Sequence, residues 1–281
     1  MKGLATEQIN QSTNQLINYA LSLGDNALIL GHRNSEWTGH GPILEQDIAI
    51  SNIALDLIGQ ARNFYQYAAQ LLNFSTPQLH NSSTPQLLTS STEDTLAFQR
   101  DVIDYKNCLL VEQPNGDWGK TILRQFFFSA YQFYLYDLLQ YSKDQQLSAI
   151  AEKALKEVTY HLKWSSEWVI RLGDGTDESH TRMKNALMEL WQYTGELTTP
   201  SSYELELLAY QVCPDLTPIK IKWDQKVNEI LTEANLNIYL NNELKDTWMQ
   251  KGGKAGSHTE HLGFLLAEMQ FLQRAYPGAE W

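Results

Sequence analysis

The side chains best suited to metal or acid–base chemistry are seven histidines set among 33 carboxylates. A Glu-x-x-His spacing turns a carboxylate and an imidazole to the same side of a helix. Two such pairs with two further glutamates hold a dinuclear metal centre inside a helical bundle. Three residues before His32, His40, His80, His161, His258 and His261 stand Ile29, Trp37, Pro77, Val158, Ala255 and His258, none a carboxylate. Asp177 and His180 alone keep the spacing, directly after Gly173-Asp174-Gly175. An acidic residue there is better explained as stabilising a helix start than as a ligand. Glu36 with His40 and Glu157 with His161 stand one turn apart, which permits an ion pair on one helix face. His161 falls on an apolar stripe, where a hydrogen-bonded core imidazole is preferred to a ligand. Carboxylates such as Asp47, Asp56 and Glu268 could approach the core and are expected to be neutralised by neighbours such as Arg62.

A second suggestive run is Lys251 to His261, in which a basic glycine-rich loop enters a helix and could hold an anion. It lacks the glycine and Lys-Ser/Thr spacing of a phosphate-binding loop. A helix capped by Ser257 or Thr259 is the preferred reading, with Lys251 and Lys254 kept as candidate anion contacts. No Gly-x-Ser-x-Gly or Gly-x-Gly-x-x-Gly element occurs.

The elements that must carry these residues are helical. The stripe Ile50, Ala54, Leu57, Ala61, Phe64, Ala68, Leu71 advances by threes and fours and predicts a long amphipathic helix over 42–72, with Pro42 in its first turn. Leu147, Ala151, Ala154, Val158, His161, Ser165, Trp168 and Leu172 predict another over 145–172, closed by Gly173. Helices are also expected over 6–23, 27–37 (after a break at Gly24-Asp25), 96–111, 118–141, 177–193, 203–212, 224–238, 242–250 and 258–276. Only residues 219–223 look strand-like. Residues 73–92 read as a polar surface loop in which Ser-Thr-Pro-Gln-Leu occurs twice, at 75–79 and 83–87. The expected architecture is all-α: a four-helix bundle with additional helices, forming one domain over 1–281.

A formal charge of −12 disfavours nucleic acid and anionic lipid as partners. Apolar runs are broken by charge before the roughly 18 residues a membrane helix needs. Two cysteines, Cys108 and Cys213, without a C-x-x-C partner support neither a disulfide framework nor a zinc knuckle, and a polar start lacks the signature of an export signal. A cytoplasmic protein is expected. Fourteen tyrosines and eight tryptophans suit partner interfaces.

Four runs carry a family resemblance: Leu30-Gly31-His32-Arg33-Asn34-Ser35-Glu36-Trp37, residues 52–63 around Asp56 and Gln60, Val111-Glu112-Gln113-Pro114-Asn115-Gly116-Asp117-Trp118, and the stretch from Gly252-Gly253-Lys254 to Trp281. In order and spacing they resemble the C-subunit family of the bacterial phenylacetyl-CoA epoxidases. The resemblance implies a ferritin-like bundle that pairs with a related catalytic chain, the A-subunit, whose di-iron centre epoxidises the ring of phenylacetyl-CoA. A further small chain and a flavin and iron–sulfur reductase complete such a system. It also implies that this chain holds no cofactor. Matched to the catalytic sister's two Glu-x-x-His motifs, Leu57 and Gln60 occupy the first pair of ligand positions and Val158 and His161 the second. A structural, non-catalytic role is the leading expectation. A stand-alone di-iron oxygenase and a CoA-thioester binding module are the alternatives, and a homo-oligomer stays open.

Overall fold

The computed structural model describes residues 2–75, 91–237, 243–244, 247–277 and 279, with side chains in the first stretch placed from Ser12 to Phe74. Four long helices dominate: α1 (Lys2–Ser35), α2 (Leu44–Ser75), α5 (Trp118–Leu139) and α6 (Gln145–Gly173). Between α2 and α5 lie α3 (Glu93–Phe98), a 3₁₀ turn at Val102–Asp104 and the single-turn α4 (Leu109–Glu112). After α6 come α7 (Asp177–Leu190), α8 (Ser202–Leu208), α9 (Leu216–Glu233), α10 (Glu260–Met269) and α11 (Phe271–Ala275). No strand occurs among the described residues.

The directions of the long helices follow from which residues meet. Gly31 lies against Ala54, Leu57 and Ile58, and Gly24 against Phe64 and Tyr65, so α1 and α2 run antiparallel. Asn34 reaches Gln125 and Trp37 reaches Thr121, so α5 is antiparallel to α1. Tyr67 meets Asp144, Gln60 meets Glu157 and Asp56 meets His161, so α6 is antiparallel to α2. Two hairpins are thus joined by one long crossover from α2 to α5. The buried stripe of α2 (Ile50, Ala54, Leu57, Ala61, Phe64, Ala68) faces that of α6 (Leu147, Ala151, Ala154, Val158, His161, Ser165) across the core. One end is closed by indoles: Trp118 stands edge-on to Trp37 at 5.1 Å, Trp164 at 6.1 Å and Trp168 at 6.2 Å. Gln46 accepts from both Trp164 and Trp168 at 2.9 and 2.7 Å.

Several sequence expectations are corrected here. Gly24-Asp25 does not break α1, which continues to Ser35. The glycine is needed for packing, since a Cβ there would stand 2.8 Å from the Tyr65 ring. Helix α2 starts at Leu44 rather than at Pro42. The expected helix over 96–111 is interrupted because side chains of α1 take its backbone N–H groups: Lys106 donates to Asp25 at 2.7 Å and Cys108 to Asn26 at 2.8 Å. Residues 219–223 are helical within α9, with Leu216, Ile219, Trp223, Val227 and Ile230 buried on one face. Gly173 is the last helical residue rather than a left-handed cap, and a Cβ there would lie 2.5 Å from the Ala234 carbonyl. The expected helix over 242–250 falls partly outside the described residues, and 247–250 are not helical. The last expected helix is divided at Gln270 into α10 and α11. The duplicated pentamer lies almost wholly outside the described residues.

Candidate functional site: the bundle centre and the carboxylate collar

At mid-bundle the four positions matched to ligands are brought together between α2 and α6. Leu57, Val158 and His161 are fully enclosed and Gln60 is 2% exposed. Gln60 is held by amide chemistry: its Oε1 accepts from Gln132 Nε2 at 2.9 Å, and its Nε2 donates to Glu157 Oε2 at 2.8 Å. Gln132 Nε2 also donates to Tyr136 Oη at 3.0 Å. Burial pushes the Tyr136 phenol well above its ordinary range, so it stays protonated. His161 Nε2 lies 3.0 Å from Asp56 Oδ2, whereas its buried Nδ1 finds no partner.

These side chains do not fit a carboxylate-bridged metal pair. Such a centre needs several carboxylates and two imidazoles converging on one point. Here the side chains are two amides, a phenol, one imidazole and two half-buried carboxylates, bonded to one another except at His161 Nδ1 and Gln132 Oε1. No group of three or more His, Cys, Asp or Glu is placed to hold a metal ion among the described residues.

The within-helix pairs inferred from spacing are differently made. Glu157 binds Gln60, and His161 turns across to α2. Glu36 takes Arg33 Nη1 at 2.9 Å and Asn115 Nδ2 at 2.7 Å, leaving His40 to the Thr38 carbonyl. His180 meets the Gly173 carbonyl at 2.7 Å, closing the turn into α7. Arg62 pairs with Glu93 rather than with Asp47 or Asp56. Asp47 instead accepts from Gly41 N at 3.0 Å.

The fully or nearly buried carboxylates lie elsewhere, in a collar that grips the α3–α5 crossover and the C-terminal loop. Asp25 of α1 accepts from Tyr65 Oη at 2.6 Å, from Lys106 N and from the Arg100 guanidinium. Glu112 is fully enclosed: Oε1 accepts from Thr259 N at 2.6 Å, and Oε2 receives Asn107 Nδ2 and His258 Nδ1, each at 2.9 Å. Thr259 does occupy the N-cap position of α10, but Glu112 rather than its own hydroxyl binds there. His258 Nε2 meets the Tyr105 carbonyl at 2.9 Å. With an acceptor on each ring nitrogen, the doubly protonated imidazole is favoured. Burial opposes that charge, but the hydrogen bond and charge of Glu112 and the Tyr105 carbonyl outweigh it and raise the pKa above 6.5.

Glu196 receives three backbone donors: Leu109 N at 2.8 Å, Gly252 N at 2.8 Å and Lys254 N at 3.3 Å. The loop can approach so closely only because it is glycine, since a Cβ on Gly253 would sit 2.2 Å from the Asn107 carbonyl. Lys254, expected as an anion contact, is 6% exposed and turned inward. Its ammonium binds Glu204 at 3.1 Å and the Thr199 carbonyl at 3.0 Å. Lys251 is exposed beside it.

The sequence motifs at 30–37 and 111–118 meet around two buried guanidiniums. Arg33 donates to the Glu112 carbonyl at 2.9 Å and to the His261 carbonyl at 3.3 Å. Arg124 is fully buried and donates to Asn115 Oδ1 at 2.5 Å and to the Gln113 carbonyl. Burial first, and then the charge of Arg33, lower its pKa to about 9, with Glu36 opposing. Glu112 was within reach of sequence reasoning, since it lies in the motif at 111–118. Glu204 carried only the signal of a Ser-x-x-Glu capping box, which it forms with Ser201, and Asp25 and Glu196 carried no signal for burial beyond their charge.

Two helical hairpins joined by a single long crossover, with extra helices packed outside, define a ferritin-like bundle. Residues 3–281 match the family described as phenylacetic acid catabolic protein, and the chain belongs to that family. It is 44% identical over 268 residues to the C-subunit of 1,2-phenylacetyl-CoA epoxidase from Escherichia coli strain K12, a match covering 95% of this chain and 100% of that protein.

Proposed function

We propose that this chain is the structural, non-catalytic partner of a related di-iron A-subunit in a phenylacetyl-CoA epoxidase, acting in the cytoplasm in phenylacetate breakdown. The observation that carries the reading is the bundle centre, where Gln60, Gln132, Tyr136 and Glu157 bond to one another in place of a converging carboxylate set. The relative from Escherichia coli, named as one subunit of an epoxidase and matched over its whole length, supports a role within a larger assembly. Surface chemistry supports it too. Helix α2 turns Leu44, Ile48 and Leu55 outward at 72%, 52% and 66% exposure, a helical stripe with no cover among the described residues. No described helix is long and apolar enough to cross a membrane.

By binding only the folded, competent form of its partner, such a chain shifts the partner towards that form. The test is co-expression with the di-iron partner, followed by gel filtration and elemental analysis. The expected result is one peak containing both chains, with iron in proportion to the partner. Separate elution at micromolar concentration, or about two iron atoms per chain in this protein purified alone, would overturn the reading.

A further inference from the structure

A cleft of about 570 Å³ opens beside the inward-turned Lys254. It lies between Asn18 of α1, Lys106 of the crossover, Ser201 and Ser202 at the start of α8, and the loop carrying Lys251. Its size is that of an ordinary small-molecule site.

What sets the cleft apart is which of its polar groups are free. Glu196 is on its wall, but both carboxylate oxygens already accept backbone N–H groups. Lys254 is matched by Glu204, and the Ser201 hydroxyl donates to the same carboxylate at 2.8 Å. By contrast, the ammonium groups of Lys106 and Lys251, the Asn18 amide and the Ser202 hydroxyl have no hydrogen-bond or ion-pair partner among the described residues. All four can donate, and two carry positive charge. Lys106, Lys251 and Lys254 stand against the carboxylates of Glu196 and Glu204, so the cleft keeps one positive charge in excess on a chain of net charge −12.

We propose that this cleft binds the phosphate-bearing end of a nucleotide-sized ligand, with Lys106 and Lys251 on its phosphates and Asn18 and Ser202 completing the donor set. A phosphate group presents several acceptor oxygens, which matches a wall of free donors. The volume leaves room for more than the anion itself. Of the two lysines marked by the sequence, Lys251 belongs to the site and Lys254 supports its wall, whereas Lys106 joins from a distant part of the chain. The inference stands apart from the partner role, because it concerns binding to this chain alone.

Isothermal titration of the full-length chain with CoA, ADP and inorganic pyrophosphate, at low and moderate salt, tests it. Saturable binding of at least one probe is expected. Lys106→Gln and Lys251→Gln should each weaken it roughly tenfold, and the double variant should abolish it, while unliganded melting temperatures stay unchanged. Tighter binding of CoA than of ADP would identify a CoA ester as the natural source of the phosphates, and the reverse order another nucleotide. Lys153→Gln with Lys163→Gln, on the exposed face of α6, is the control and should leave affinity as it was. No binding of any probe at millimolar concentration, affinity unmoved by the cleft variants, or equal loss in the α6 control would overturn the proposal.

Discussion

The bundle centre and the collar treat polar side chains in opposite ways. At the centre, Gln60 accepts from Gln132 and donates to Glu157, Gln132 Oε1 is left without a partner, and the nearby carboxylates Asp56 and Glu157 are half-buried at the α2–α6 edge. In the collar, Asp25, Glu112, Glu196 and Glu204 are at most 5% exposed, and each is bound by several donors. Neutral amides need only hydrogen bonds to be buried, whereas a buried carboxylate needs charge or multiple N–H groups around it. The long helices therefore owe their association to apolar seams. The irregular segments owe theirs to ionised side chains, because a short helix or loop buries too little apolar surface to hold itself in place.

The contrast predicts the largest effect in the collar. Glu196→Leu leaves three backbone N–H groups without an acceptor, of which the buried ones on Leu109 and Lys254 cost about 1–3 kcal/mol each and the half-buried one on Gly252 less. A loss of about 3–6 kcal/mol in urea unfolding is expected, with early protection loss in the loop around Gly252. Gln60→Leu at the centre should cost only about 1–2 kcal/mol, since its buried neighbours Gln132 and Tyr136 are neutral and the half-buried Glu157 can turn to water. Equal costs at the two sites would erase the distinction.

Next in size is Gly24→Ala, where α1 passes α2. The new methyl would stand 2.8 and 2.9 Å from two carbons of the Tyr65 ring. That ring cannot easily withdraw, because its hydroxyl is bonded to Asp25 and the Arg100 guanidinium lies 5.4 Å from its centroid. Overpacking of this kind costs about 1–3 kcal/mol, to be read as a lower urea midpoint at constant slope. A neutral or stabilising alanine would mean that the two helices can part without loss.

A smaller effect is expected from pH at His258. Its folded pKa is raised above 6.5, so the folded state holds the proton more tightly than the unfolded chain. The resulting stability is fully present below about pH 6.5 and is lost as pH rises through the folded value. Melting temperature should therefore fall between pH 6 and pH 9 by more in the native chain than in His258→Gln. Parallel profiles would show that the Glu112–His258 pair carries no net charge coupling.

The same contrast explains what could be read in advance. The stripes of α2 and α6 were legible because apolar periodicity over many turns admits one period, and Ile50 to Ala68 and Leu147 to Ser165 are buried as that period requires. The five residues from Ile219 to Trp223 were misread because so short a window fits alternation as well. Ile221, at 55% exposure, lies on the outer face of a helix rather than on the far side of a strand. At the centre, the family resemblance had matched Leu57, Gln60, Val158 and His161 to ligand positions, and the structure encloses all four between α2 and α6. The collar was not legible. Asp25 meets Lys106 across 81 positions and Glu112 meets Thr259 across 147, and nothing local marks which carboxylate will be buried. Gly24-Asp25 even resembles a helix stop, because glycine and aspartate disfavour helices when only local propensity is counted.

The smallest effect should come from the loop that carries the repeated pentamer. Its two ends are already tied: Asn73 Nδ2 donates to the Ser91 carbonyl at 2.9 Å, and Ser91 N donates to Asn73 Oδ1 at 3.0 Å. Both bonds come from one side chain at the end of α2, so the closing geometry does not depend on the length of chain between them. Helix α3 is then started independently by Thr92, whose hydroxyl accepts from Thr95 N at 3.2 Å. Loop length enters stability only through a logarithm, about 0.6 kcal/mol for each doubling. Removing residues 75–81 should therefore leave the melting temperature within a few degrees and the unfolding transition cooperative. Asn73→Ala, which removes the tie itself, should cost more than the deletion, on the order of 1 kcal/mol. A deletion more damaging than Asn73→Ala would mean that the loop packs against the bundle, and the division between apolar seams and polar clamps would have to include it.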